Sequence, residues 1–254
     1  MQNSLRAVIF DLGDTLIHFD GAWPEVMARA DRQLLANLHS AGLELDEARF
    51  LDRFRTSLEA YYEQREAEFI EHTTAYVLRN VLAEFGHTDV DDAVLEPALE
   101  SLYAVSQEHW KRESDALPTL KMLQQQGYPL GLISNASDDA DVQTLVDQAE
   151  LRPYLDFVIS SAAVGIRKPN PRIFKIALDQ WGFPANQVAM VGDTLGADIL
   201  GARNAGLFAI WLTRHADTPG NRDHRDTIQP DASIETLSEL PILLTVLGAK
   251  SSTK

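Results

Sequence analysis

Six polar residues stand in the segments that follow short apolar runs. They are Asp11 after AVIF, Ser134 and Asn135 where LGLI ends, Lys168 in the loop GIRKP, and Asp193 with Asp198 after VAMV. Together they offer three carboxylates, a hydroxyl beside an amide, and one ammonium. Carboxylates attack electrophiles, move protons or hold hard cations, while the other groups stabilise developing negative charge. Each also has a plain structural use. Asp11 suits the turn Leu12-Gly13-Asp14, Ser134 or Asn135 suits a helix cap, Asp193 and Asp198 suit a helix N-terminus, and a single lysine is usually a surface charge. Recurrence favours a site, because four separate segments bring chemically compatible groups to the ends of apolar runs.

The elements that must position these groups follow from periodicity. Ala7 to Phe10, Leu130 to Ile133, Phe157 to Ile159, Val188 to Val191 and Leu207 to Leu212 read as buried parallel strands. Helical patterns lie between the later ones: Leu117 to Gln126, Asp139 to Ala149, Pro171 to Trp181 and Ala197 to Ala205. Gly127, Gly182 and Gly206 are their expected stops, and Asn170 before Pro171 is an expected start. Strand alternating with helix predicts an α/β fold, a Rossmann-like, doubly wound parallel sheet whose ligands bind at the C-terminal strand edges.

The first strand breaks the alternation. Residues 22 to 41, 47 to 68, 70 to 85 and 92 to 112 have apolar residues at helical spacing, such as Phe50, Phe54, Leu58 and Tyr61, and nothing between 20 and 112 reads as a strand. The expected organisation is therefore a core of residues 1–19 and 113–254 with an α-helical cap inserted at 20–112. Of the 254 residues, 22 are Lys or Arg and 38 are Asp or Glu, a net charge of −16. The insert holds 9 basic and 19 acidic residues, which reads as a solvated outer face. That acidity argues against nucleic acid or an anionic membrane as the main partner, and no segment approaches the roughly 20 apolar residues of a membrane span. The chain has no cysteine, which removes thiol chemistry and fits a cytoplasmic protein.

In order and over nearly the whole length, the sequence resembles the haloacid dehalogenase-like (HAD) superfamily, in the subclass with a helical cap after the first motif. The resemblance rests on AVIFDLGDTL (7–16), LISN (132–135), GIRKP (165–169), VGDTLGAD (191–198) with ILGARNAG (199–206), and PDASIETLSEL (230–240) as a final strand and helix. It implies a phosphatase in which Asp11 attacks phosphorus to give an aspartyl phosphate, hydrolysed next by water. It implies Mg2+ held by Asp11, the carbonyl of Gly13 and Asp193, with Asp198 in support. Ser134 and the amide of Asn135 would donate to the phosphoryl oxygens, and Lys168 would pair with Asp11 and the phosphoryl group.

One position departs from the family. Its phosphatases usually carry an acid-base aspartate where this chain has Gly13, so Asp14, a cap residue, water or a good leaving group must supply that help. The departure keeps two other readings open: a catalytically weak module that binds a phospho-ligand or a protein, and a 2-haloacid dehalogenase. The second is opposed by Asp193 after Gly192 and by the absence of an aromatic residue at position 13. A cap of this kind implies a small soluble phosphate ester as partner. Arg65, Glu66, His72 and Thr73, read as a polar stretch between helices, are candidate cap contributors, and His18 and Asp20 are expected in the flap between core and cap. No G-x-G-x-x-G follows the first strand, and the seven histidines show no helical H-x-x-x-H pair.

Overall fold

Strands buried on both faces must be apolar throughout. The strand AVIF satisfies this: Val8 and Phe10 face one hydrophobic layer, Ala7 and Ile9 the other, and all four are fully buried. A computed structural model describes residues 5–251 of the chain. Chain order begins with β1 (Ala7–Phe10) and β2 (Ile17–Phe19), then α1 (Trp23–Ser40), α2 (Glu47–Glu68), α3 (Thr74–Glu84), α4 (Asp92–Gln107) and β3 (Trp110–Arg112). Next come α5 (Ala116–Gln125), β4 (Leu130–Ser134), α6 (Asp139–Gln148), β5 (Phe157–Ser160), α7 (Ser161–Val164) and α8 (Pro171–Trp181). The chain finishes with β6 (Val188–Gly192), α9 (Leu200–Asn204), β7 (Phe208–Leu212), α10 (Pro219–His224), β8 (Ala232–Ile234) and α11 (Leu240–Ser251).

The main sheet is six-stranded, in the order β5-β4-β1-β6-β7-β8, and every pairing in it is parallel. This is the expected doubly wound α/β architecture. The order reverses beside β1, which places the ends of β1, β4 and β6 around one crevice. Helix boundaries follow the local chemistry. Asn170 caps α8 by accepting from the Arg172 amide, and Gly182 ends it at φ 69°, a left-handed turn natural for glycine. Asp46, Thr73 and Asp138 cap α2, α3 and α6 in the same way.

Helices α1 to α4 enclose a hydrophobic cluster of their own, centred on Leu34, Phe50, Phe54, Leu78 and Leu95. Phe50, Phe54, Leu58 and Tyr61 all turn inward, as the helical spacing requires. The ends of this insert differ from expectation. The helix read over 92–112 stops at Gln107, and Trp110–Arg112 pair antiparallel with Ile17–Phe19. A three-residue strand is too short to show alternation, so this two-stranded ribbon had no periodic signal. The helix expected at Ala197 to Ala205 instead begins as a π-helical turn, Leu195–Ile199. Among the described residues no helix is long and apolar enough to cross a membrane.

A buried polar cluster joins the insert to the sheet. Between α2 and α3, Ile70 makes a β-bridge with Ile166, the Arg167 amide donates to Phe69 O, and the Glu71 amide donates to Gly165 O. The Glu71 carboxylate is 4% exposed. It accepts from Tyr61 Oη at 2.5 Å, Ser161 Oγ at 2.7 Å and Arg167 Nη1 at 3.2 Å. Removing one partner of such a pair leaves an uncompensated buried charge. Glu71→Ala is expected to destabilise the fold by about 3–5 kcal/mol, measured by urea unfolding. A loss below about 1 kcal/mol, the range of an exposed pair, would show that the cluster holds little.

Candidate active site

Lys168 is 2% exposed, and an ammonium so placed must find an acceptor for each proton. It finds three: Asp11 Oδ1 at 2.6 Å, Asp198 Oδ1 at 2.7 Å and the Ile133 carbonyl at 2.9 Å. One cation thus ties together the ends of β1 and β4 and the turn after β6. The Lys168 backbone is held in turn by Asn135, whose Oδ1 accepts from the Lys168 amide at 2.8 Å and whose Nδ2 donates to the Lys168 carbonyl at 2.9 Å. The Asn135 side chain therefore positions the lysine loop, a role its strand-end location alone did not reveal.

The turn after β6 is built around the carboxylates. Asp198 Oδ2 accepts from the Thr194 amide at 2.9 Å. A Cβ on Gly192 would lie 2.3 Å from this carboxylate, so only glycine lets Asp198 reach Lys168. With Oδ1 on Lys168 and Oδ2 on Thr194, Asp198 is spent on structure; Asp11 also meets Lys168 through Oδ1, while the Asp193 carboxylate takes the Thr194 hydroxyl at 3.3 Å. The Asp193 carbonyl accepts from Trp211 Nε1 at 2.8 Å and Asn221 Nδ2 at 2.9 Å. Buried Asn221 also takes the Leu195 amide on Oδ1 at 2.7 Å. Neither Asn221 nor Trp211 stood out in the sequence, because their role arises only from the packing of α10 and β7 beside the turn.

The electrostatics record a crowded floor. Burial raises the Asp11 pKa to about 6, against the pull of Lys168 and with the push of Asp198. Burial, then Asp198, Asp11 and Asp14, hold Asp193 well above the usual carboxylate range. For Lys168, burial opposes the charge, but Asp11 and Asp198 outweigh it and raise its pKa. Asp11, Asp193 and Asp198 each place a carboxylate oxygen within 4.8 Å of the others. Three buried carboxylates around one ammonium leave net negative charge, and their all-oxygen donors suit a hard divalent cation such as Mg2+.

These groups form the floor of a cavity of about 670 Å3 between sheet and insert. Asp11, Gly13, Asp14, Ser134, Asn135, Lys168, Asp193 and Asp198, all singled out by sequence, line it. The opposite wall is largely apolar, with Trp23, Met27, Leu58, Tyr62, Leu102 and Trp110. Trp110 lies over Gly13, where a Cβ would stand 3.4 Å from the indole edge. Asp14 takes the left-handed conformation at φ 54°, which aspartate tolerates better than most residues.

The cap candidates fared less evenly. Arg65 lines the cavity, but Arg65 and Glu66 lie within α2 rather than between helices, because the helix continues to Glu68. The Glu66 side chain lies outside the described residues. His72 stacks on Tyr76 with ring centroids 4.7 Å apart, and Thr73 caps α3; neither lines the cavity. His18 pairs with Glu113, and exposed Asp20 bonds through its amide to His109 O, both outside that wall.

Comparisons with known proteins place the chain in a family. A family model described as haloacid dehalogenase-like hydrolase matches residues 5–206. The chain is 31% identical over 242 residues to glyceraldehyde 3-phosphate phosphatase of Methanothermobacter thermautotrophicus, covering 94% of this chain and 100% of that one. It is 40% identical over 116 residues to pyrimidine 5'-nucleotidase YjjG of Escherichia coli, a match over 45% of this chain and about half, 49%, of the nucleotidase. The 2-haloacid dehalogenase of Pseudomonas syringae superposes with a TM-score of 0.63 at 26% identity, covering 95% and 99% of the two chains. A match that runs from before β1 to the end of α9 takes in every strand-end residue of the floor, and the chain belongs to the haloacid dehalogenase-like hydrolases.

Proposed function

We propose that this hydrolase is a Mg2+-dependent phosphatase of small phosphate esters, working through an aspartyl phosphate on Asp11. The observation that carries the reading is the carboxylate floor: Asp193 and Asp198 are buried beside Asp11, and among the described residues Lys168 is the cation paired with them. Attack at carbon by Asp11 has no use for the extra carboxylate, whereas a phosphate dianion approaching a carboxylate needs a divalent cation. Several relatives named as phosphatases support this choice over dehalogenation.

Asp11, the Gly13 carbonyl and Asp193 would hold the cation, which supplies charge neutralisation at the phosphoryl oxygens. The Asp11 carboxylate attacks phosphorus, with Lys168 keeping its Oδ1 oriented at 2.6 Å; the bond from phosphorus to the ester oxygen breaks, the alcohol leaves with a proton, and water then hydrolyses the aspartyl phosphate to release phosphate and restore Asp11. Ser134 and the Asn135 amide donate to the phosphoryl oxygens, and Lys168 meets the charge that develops there. Asp14 takes the proton role that Gly13 cannot: it lines the cavity, and burial raises its pKa, against the pull of His215 and His18. The insert, α1 to α4, acts as a cap that excludes bulk water and opens for release. Its aromatic wall favours an ester with a flat apolar body, such as a nucleoside monophosphate, over a glycolate or triose phosphate. The protein acts in the cytoplasm.

A phosphate-release screen over nucleotides, sugar phosphates and phospho-acids, with and without Mg2+ and with a 2-chloropropionate control, tests the assignment. Chloride release without phosphate release would overturn it. Asp11→Asn is expected to lower turnover of p-nitrophenyl phosphate by at least about 10,000-fold, and a smaller loss would remove Asp11 as nucleophile. Asp14→Asn should slow alkyl phosphates by about 100-fold while affecting p-nitrophenyl phosphate far less. Equal effects on both leaving groups would deny it the proton role. Gly13→Asp, whose Cβ the Trp110 edge admits at 3.4 Å, should restore turnover of the same alkyl esters in the Asp14→Asn background. No recovery there would show that loss of an acid is not what slowed the Asp14 variant.

A further inference from the structure

A second constellation of ligating groups lies outside the catalytic floor, at the root of the insert. His18 sits in β2, Glu113 directly after β3, and His215 in the loop that follows β7. Their ligating atoms, two ring nitrogens and a carboxylate oxygen, all fall within 4.8 Å of one another. Both imidazoles converge on a single oxygen, Glu113 Oε1: His215 Nε2 at 2.7 Å and His18 Nδ1 at 2.8 Å. The His18 contact is off hydrogen-bond geometry, so its Nδ1 is a buried nitrogen without a hydrogen-bond partner. Such an atom costs free energy unless something fills the need.

The surroundings fit a cation. Glu113 is 6% exposed, and its other oxygen is held by Arg214 Nη1 at 2.5 Å. Arg214 is neutralised in turn by a two-point pair with Asp115, at 2.9 and 2.5 Å. The carboxylate is thereby aimed, with Oε1 presented to the imidazoles, the kind of outer-shell orientation found around bound metals. The His18 and His215 side chains are 33% and 35% exposed, so the rings reach solvent although His18 Nδ1 itself is buried. Zinc ligand atoms at about 2.0–2.2 Å from the metal stand roughly 3.3 Å apart in a tetrahedron, so the contacts need to widen by about 0.5 Å. Two partly exposed imidazoles can turn that far.

We propose that His18, Glu113 and His215 form a transition-metal site of the Zn2+ class. The mixed imidazole and carboxylate donors separate it in kind from the all-oxygen floor, which suits Mg2+. Its position gives it a consequence. His18 and Glu113 lie on the two chain crossings between sheet and insert, and His215 lies on the sheet side. A bound ion therefore staples both crossings to the core and restrains movement of the insert.

The test titrates Co2+ and Zn2+ into the full-length chain in excess Mg2+, following Co2+ d–d absorption and equilibrium dialysis. The variants are His18→Gln, His215→Gln and Asp193→Asn. Wild type and Asp193→Asn should each bind one equivalent, with the intense absorption of a low-coordinate nitrogen-ligated Co2+. Both histidine variants, checked for native circular dichroism, should lose more than the about 100-fold that loss of an outer-shell partner can cost. Hydrogen exchange at residues 17–19 and 110–112 should slow on Zn2+ binding in wild type. Binding abolished by Asp193→Asn, or undiminished in the folded histidine variants, would overturn the site. If a histidine variant fails to fold, the wild type and Asp193→Asn pair still decides: no bound Co2+ in either refutes it.

Discussion

The buried ammonium of Lys168 is the constraint on which this structure turns. A charge with 2% exposure is tolerable only if fully paired, and its three acceptors come from separate segments of the chain. Asp11 follows β1, the Ile133 carbonyl belongs to β4, and Asp198 lies in the π-helical turn after β6. To satisfy one lysine the sheet must bring these segments together in register. The order β4-β1-β6 does so, and the same arrangement sets the nucleophile candidate beside its countercharge.

Other features follow from that arrangement. Gly192 has no side chain because Asp198 occupies its space, and Asn135 grips the lysine loop through both amide atoms. The loop also carries the contact to the insert: Arg167, next to the lysine, pairs with Glu71 at 3.2 Å, and its amide binds Phe69 O. Insert and lysine are therefore mechanically continuous, through backbone bonds as well as a buried ion pair. Movement of one is felt by the other.

The sheet was legible because buried parallel strands leave uninterrupted apolar runs, and the helices because caps such as Asn170 and Gly182 act locally. The floor was legible for a related reason, since a strand end is where a side chain enters the crevice. Less legible were features made only by distant pairing. The ribbon of Ile17–Phe19 with Trp110–Arg112 joins segments about ninety residues apart with too few residues for a period. Glu71 looked like one more acid in an acidic insert, yet it is among the least exposed carboxylates of the described residues. His18, expected in the flap between core and cap, meets Glu113 and His215 from far along the sequence. Nothing local distinguishes such residues from solvated ones.

The central claim is that Asp11 itself becomes phosphorylated, and a direct look at that carboxylate tests it best. Turnover stopped by rapid acid quench, then reduced with borohydride and mapped by peptide mass spectrometry, converts an acyl phosphate into an alcohol at the residue that carried it. The account predicts homoserine in place of Asp11 and the intact residues at Asp14, Asp193 and Asp198. Reduction at one of those residues instead, or no reduced residue while phosphate is being released, would contradict it.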